Sequence, residues 1–191
     1  MVPLRYFFIT LFCAWSFVST AASLDVYDTI GGDFELNSTL GKKIGPQSFS
    51  GKVLLIFFGY TSCPDICPIT LTTVKDALEN LEPSEVEQVQ PLFISVDPER
   101  DTLEGMKQFL TYFHSSLVGV TGSAEELKAI TKKFGAAYMK DIRSDSAVDY
   151  LIAHSGYIYL MDQHGRTRAL YRTSNKAEEM VEGIRKLLRE E

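Results

Sequence analysis

Six consecutive apolar residues, Val53-Leu-Leu-Ile-Phe-Phe58, run directly into Gly59-Tyr-Thr-Ser-Cys-Pro-Asp-Ile-Cys-Pro68. An unbroken apolar run closed by a glycine predicts a strand buried on both faces, as in a sheet covered by helices. Pro64 and Asp65 then suit the first turn of a helix, where proline needs no amide partner and a carboxylate complements the positive end of the dipole. Cys63 and Cys67 are thus expected where a buried strand hands over to a helix. Spaced i, i+4 on one helix face, they are near enough to share a metal ion or close a disulfide. The chemistry of the pair is metal or redox.

The rest of the chain alternates strands and helices around this point. Gly31 to Leu36 and Lys42 to Ile44 read as a short hairpin. The cysteine helix carries Ile66, Val74, Ala77, Leu78 and Leu81 on one face and ends near Glu82-Pro83. Pro91 to Val96 is a second buried strand, closed by the turn Asp97-Pro98. Asp101 with Glu104 reads as a capping box for a helix through Met106, Phe109, Leu110 and Phe113. A strand at Leu117 to Val120 precedes Ser123 and Glu126, a second capping box, and a helix through Leu127, Ile130 and Phe134. Lys140 to Asp149 reads as irregular. Strands at Leu151 to Met161 and Thr167 to Tyr171 flank a turn at Asp162 to Gly165, and Asn175 with Glu178 caps a last helix through Met180, Ile184 and Leu188. The order is α/β, with the cysteines at the carboxyl end of a central strand, where open α/β sheets place their sites. Turn and cap roles account for Asp97 and Asp101 without an acid-base pair.

A chain of 191 residues, 45% apolar, is long enough for one sizeable core and reads as one domain. Its net charge of -6 and lack of a long Lys/Arg run argue against nucleic-acid binding. The amino terminus has the three-part plan of an export signal: Arg5, an apolar segment from Tyr6 to Val18, and small residues from Ser19 to Ser23. Residues 1–22 are expected to be a signal peptide or an uncleaved membrane anchor, and 23–191 the folded domain. The apolar segment, at roughly 13 to 17 residues, is shorter than the roughly 20 that cross a bilayer comfortably. Cys13 falls inside it and lacks the small residue expected just ahead of a lipid-modified cysteine. The protein is therefore expected in an oxidising compartment with Cys63 and Cys67 as its only remaining cysteines. A disulfide between them would close so short a loop that its entropic stabilisation would be small, which favours a functional pair over a structural bridge. Of the histidines, His114 ends a helix and His164 sits beside Gly165, so both read as solvated. His154, in a strand, is open to either a core or a ligand role.

Gly59 to Pro68, Ser95-Val-Asp-Pro-Glu-Arg-Asp-Thr102, Leu117-Val-Gly-Val-Thr-Gly122, and Tyr150-Leu-Ile-Ala-His-Ser155 ahead of Tyr157-Ile-Tyr-Leu160 resemble the Sco/SenC family, in order, from about Gly31 to the last helix. The resemblance implies a thioredoxin-like fold with a central mixed sheet flanked by helices. It implies a copper-binding protein needed for assembly of cytochrome c oxidase, with Cys63, Cys67 and His154 as metal ligands for one copper ion. Two thiolates and an imidazole suit Cu(I) and also hold Cu(II), whereas a structural zinc site would want a fourth protein ligand. It further implies that Cys63 and Cys67 form a redox-active disulfide, no catalytic residue being needed for metal transfer. The expected partners are the copper-bearing subunit of cytochrome c oxidase and other periplasmic copper chaperones. The expected location is a bacterial periplasm, with inner-membrane association if residues 6–22 are retained.

One position departs from the pattern: many relatives have Asp immediately before the histidine, and this chain has Ala153. Groups around a metal-bound imidazole orient it, so the tuning of His154 is expected to differ. A periplasmic thiol-disulfide oxidoreductase, reducing target cysteines, is the competing reading. Against it stand the C-x-x-x-C spacing and the absence of any proline after Pro98, so the cis-proline that faces the thioredoxin pair has no counterpart. Pro64 also stands where a peroxiredoxin needs Thr or Ser. A copper or redox sensor acting through a partner is a third reading.

Overall fold

The computed structural model describes residues 23–142 and 150–190, without the side chains of Ile142 and His154. The expected leader, residues 1–22 with Cys13, lies outside the described residues, among which no helix is long and apolar enough to cross a membrane.

Among the described residues, nine strands, five α-helices and a 3-10 turn at Pro46–Phe49 are built on the expected frame. The hairpin forms, but its first strand is β1 (Leu36–Ser38), beginning where the expected Gly31–Leu36 ends, paired with β2 (Lys43–Ile44). The apolar run becomes β3 (Val53–Gly59), buried along its whole length. Next come α1 (Ile66–Glu79), the short α2 (Pro83–Val86), β4 (Val89–Ser95), α3 (Leu103–Thr111), β5 (Val118–Thr121) and α4 (Ala124–Lys133). β6 (Tyr138–Ile142), β7 (Tyr150–His154), β8 (Tyr157–Met161), β9 (Thr167–Arg172) and α5 (Ala177–Leu188) complete the chain.

The central sheet has the order β2-β1-β5-β4-β3-β8-β9. β3, β4 and β5 run parallel, while β8 pairs antiparallel with β3. Parallel neighbours need crossovers, and these are right-handed, so α1 and α3 fall on the same face of the sheet. On that face Phe57 meets Phe93 at 5.0 Å between ring centroids, and Phe93 meets Phe109 of α3 at 6.3 Å. α5 packs beside α1. Alternation along β3 sends Phe58 to the other face. There it forms edge-to-face contacts with Phe134, at the end of α4, and with Tyr159 of β8, at 5.5 and 5.9 Å. This is a thioredoxin-like α/β architecture with the expected central mixed sheet and amino-terminal hairpin.

Several local expectations are corrected. The stretch read as one strand from Leu151 to Met161 is two, β7 and β8, broken at Ser155-Gly156. They belong to different sheets, because β7 pairs with β6 as a separate two-stranded ribbon. Lys140 to Ile142, read as irregular, is the end of β6, while 143–149 lie outside the described residues. The N-cap of α3 is Thr102, whose side chain accepts from Gly105 N at 3.1 Å, rather than Asp101. The last helix starts one residue later than read. Glu179, not Glu178, accepts from the backbone N–H of Lys176, and Asn175 instead accepts from Arg172 N. The Ser123/Glu126 box on α4 forms in both directions.

Candidate metal centre

β3 delivers the chain to the carboxyl edge of the sheet at Gly59, and Tyr60 remains fully buried beyond it. The backbone then turns, with Cys63 N–H donating to the Tyr60 carbonyl at 3.2 Å. Asp65 is the N-cap residue of α1, so Cys67 lies in the first helical turn and Cys63 lies ahead of the helix. The two cysteines therefore do not share a helix face as their spacing predicted. The turn brings them together instead. Their thiols are hydrogen-bonded to each other and not joined by a disulfide. Cys67 is completely buried and Cys63 nearly so.

Close packing makes this arrangement specific. A Cβ on Gly59 would sit 2.7 Å from Cys67 Sγ and 2.8 Å from Phe93 Cε2, so the absence of a side chain there opens the space that the thiol fills. The hydrogen bond with Cys63, and then burial, push the Cys67 thiol well above the ordinary thiol range. A contact with the Tyr60 backbone opposes this, and the negative charge of Asp101 adds to it. Burial and the nearby cysteines likewise raise the Tyr60 phenol. Cys67 therefore holds its proton at neutral pH, and a soft metal ion binding there would displace it.

β7 reaches this loop through its backbone. Ile152 N–H donates to the Tyr60 hydroxyl at 3.2 Å. Beyond β7, Gly156 abuts the cysteine segment so closely that a Cβ on it would lie 2.7 Å from Ile66 Cδ1. Position 154 falls between these two contacts, paired in register with Tyr138. Its side chain is outside the described residues, and among those described no group of three or more His, Cys, Asp or Glu side chains converges. Ala153 is exposed on the opposite face of β7, across from exposed Met139. His114 lies at the end of α3, its Nδ1 hydrogen-bonded to Ser116, and His164 is exposed; neither belongs to the site.

A buried polar layer under the loop was not expected from the sequence. Asp101 accepts from the Thr61 backbone N–H at 3.0 Å and from Ser95 Oγ at 2.6 Å, and its other oxygen accepts from Thr61 Oγ1. It thereby ties the residue after Tyr60 to the end of β4. Asp97 is fully buried and holds Arg100 and Tyr150. The only signal in the sequence was the density of charge in Asp97-Pro-Glu-Arg-Asp101 immediately after a buried strand, which is equally the composition of a surface turn.

The SCO1/SenC family model matches residues 23–189. The chain belongs to the SCO1/SenC family. An SCO2-like protein of Rickettsia conorii is 34% identical over 168 residues, covering 86% of this chain and 82% of that protein. Among solved structures, Bradyrhizobium japonicum ScoI with copper bound superposes with a TM-score of 0.75 at 36% identity, over 83% of this chain and 99% of that one. Arabidopsis thaliana ScoI with copper bound gives 0.74 at 38% identity, over 85% of this chain and 99% of that one. The two solved structures share the thioredoxin-like fold described above, and both carry copper.

Proposed function

We propose that this chain is a copper metallochaperone that loads the dinuclear copper site of a cytochrome c oxidase, holding one Cu(I) or Cu(II) through Cys63, Cys67 and His154. The observation that carries the reading is the buried, hydrogen-bonded thiol pair beneath the strand that bears position 154. Two soft sulfurs set in an apolar surround suit Cu(I), and copper accompanies the family's fold in the two relatives above. Copper is cargo here. Cysteines of the copper-bearing oxidase subunit would displace Cys63, Cys67 and His154 stepwise, so no covalent turnover is needed.

The same thiols support a linked role. A pair close enough to hydrogen-bond can close to a disulfide while reducing a target disulfide, with both electrons passing from the two sulfurs of this chain to the two of the target. That role requires the pair to be free of metal, so it competes with copper loading. The family's bacterial members and the export-like residues 1–22 support a periplasmic site of action, with that segment either cleaved or retained as an inner-membrane anchor.

The test is anaerobic titration of the protein with Cu(I) and Cu(II), repeated with His154→Ala and Cys67→Ser. The expected result is one copper per chain in the wild type, weakened binding in His154→Ala, and collapse of binding in Cys67→Ser. Failure of the wild type to bind either ion, or an unchanged His154→Ala, overturns the assignment. In cells lacking the protein, rescue of oxidase activity by added copper supports delivery, and rescue by a thiol reductant alone supports the redox role.

A further inference from the structure

β6 and β7 pair with each other and stand outside the ladder of the seven-stranded sheet. The ribbon carrying position 154 is instead fastened by side chains from the turns that follow β3 and β4. Besides the Tyr60 hydroxyl under Ile152, the fastening is concentrated on Tyr150, the first residue of β7. Arg100 Nη1 donates to the Tyr150 carbonyl at 3.1 Å, and the guanidinium lies over the Tyr150 ring, 3.7 Å from its centroid. The Tyr150 hydroxyl donates to Asp97 Oδ1 at 2.6 Å. Arg100 Nε donates to Oδ2 of the same carboxylate. Lys140 of β6 closes the cluster, its Nζ 4.5 Å from the Tyr150 centroid and 2.5 Å from Glu99 Oε1. Tyr150 is thus held by ring, hydroxyl and backbone at once.

A strand transmits such a constraint along its length. Tyr150, Ile152 and position 154 are alternate residues and share one face of β7. With alanine at 153, the residue next to the histidine supplies no carboxylate to steady it, so constraint on 154 comes through the strand. We infer that Arg100, Asp97 and Tyr150 are positioning residues for the copper centre: by clamping the start of β7 against the turn after β4, they set where His154 stands relative to Cys63 and Cys67. This rests on the reading of His154 as a ligand. Groups that orient a ligand without touching the metal commonly alter affinity by about 10- to 100-fold. A lysine in place of Arg100 keeps the charge beside buried Asp97 but loses the planar stack and the forked donors. Phenylalanine in place of Tyr150 keeps the stack and loses only the hydroxyl.

The experiment uses the full chain with Tyr150→Phe and Arg100→Lys, each alone and each combined with His154→Ala. Cu(I) affinity is read by competition with a chromophoric chelator, and Cu(II) geometry by the sulfur-to-copper charge-transfer band. Each variant alone is expected to bind copper about tenfold more weakly, with a shifted band. In the His154→Ala background neither is expected to change the affinity further, because the route of its effect is gone. Equal losses in both backgrounds, or wild-type affinity and spectrum in both single variants, overturn the inference and leave the ligand assignment standing. Wild-type affinity in His154→Ala overturns the ligand assignment and the inference with it. Tyr150→Phe, the milder change, keeps the test decisive should Arg100→Lys fail to fold.

Discussion

At Gly59 a single hydrogen atom decides whether the thiol of Cys67 has room. A methyl there would press on Cys67 Sγ at 2.7 Å and on the Phe93 ring at 2.8 Å, and both neighbours are themselves completely buried. Gly59→Ala is expected to lower the unfolding free energy by about 2 kcal/mol and to weaken copper binding, a loss typical of overpacking. Denaturant midpoints of the copper-free proteins check it; an unchanged midpoint would mean that the loop yields without cost. The thiol itself makes the second prediction. Because the folded state holds the Cys67 proton more tightly than the unfolded chain does, the folded state keeps that proton where the unfolded chain has released it. The contribution is complete below the unfolded thiol pKa of about 8.5 and is lost as pH rises above it, by up to about 1.4 kcal/mol per pH unit for one proton. Reduced, copper-free wild type should therefore destabilise between pH 8 and 10 more steeply than Cys67→Ser (about the unfolded thiol range). Parallel pH curves for the two proteins would contradict the thiol's being held protonated.

Elements with a strong local code were the ones legible from the sequence. The run Val53 to Phe58 could only be a buried strand, and the Ser123/Glu126 box opens α4 where it was read. Ser123→Ala should therefore cost about 1 kcal/mol, measured as a shift in the midpoint of denaturation, since the cap satisfies an otherwise orphaned amide of the first turn. An effect near zero would show that water replaces the cap freely. β6 was illegible because Lys140 and Asp141 read as a solvated loop, although its partner β7 is the next strand along the chain. β7 and β8 were merged because both are apolar, although Gly156 between them was the available signal: its backbone must approach Ile66, and the chain changes sheets there. The cysteine pair was legible as a pair but not in its geometry, because Cys63 precedes the helix and its approach to Cys67 is made by a turn. The Arg100, Asp97 and Tyr150 cluster was not legible at all. Asp97 read as a turn residue, and nothing in the sequence linked it with Arg100 to Tyr150 until the fold brings β7 over that turn.

Across the whole molecule the chain is closed at the end opposite the thiols. β8 runs antiparallel to β3, with Met161 beside Leu54, so Asp162 lies near the start of β3 while the cysteines follow its end. The separation is one strand of 7 residues, about 20 Å. Here Arg168, on β9, reaches three parts of the chain at once. It donates to the carbonyls of Leu24 and Asp25 at 2.6 and 3.1 Å, to Asp162 at 3.2 Å, and pairs with Glu190 at 2.7 Å. The first described residues, the β8–β9 turn and the carboxyl end of α5 are thereby joined away from the cysteine pair. Burial is the largest influence on the Asp162 carboxyl and would raise its pKa, but the Arg166 backbone and guanidinium, Arg168 and the His164 amide together outweigh it and hold the pKa below the usual carboxylate value. A depressed folded pKa contributes stability that is complete above the unfolded value of about 3.9 and is lost as pH falls through the folded one. Asp162→Ala leaves Arg168, 5% exposed, with Glu190 as its one remaining carboxylate beside the Leu24 and Asp25 carbonyls, and is expected to cost about 3 kcal/mol at neutral pH, as when one partner of a buried pair is removed. Because the knot is distant from Cys63 and Cys67, copper stoichiometry should stay at one per chain while the unfolding midpoint falls. Urea titrations of both proteins from pH 7 to 3 supply the check. The two stability curves should converge as the wild-type carboxylate is protonated, and a constant gap down to pH 3 would place the stabilisation in packing and not in the charge of Asp162.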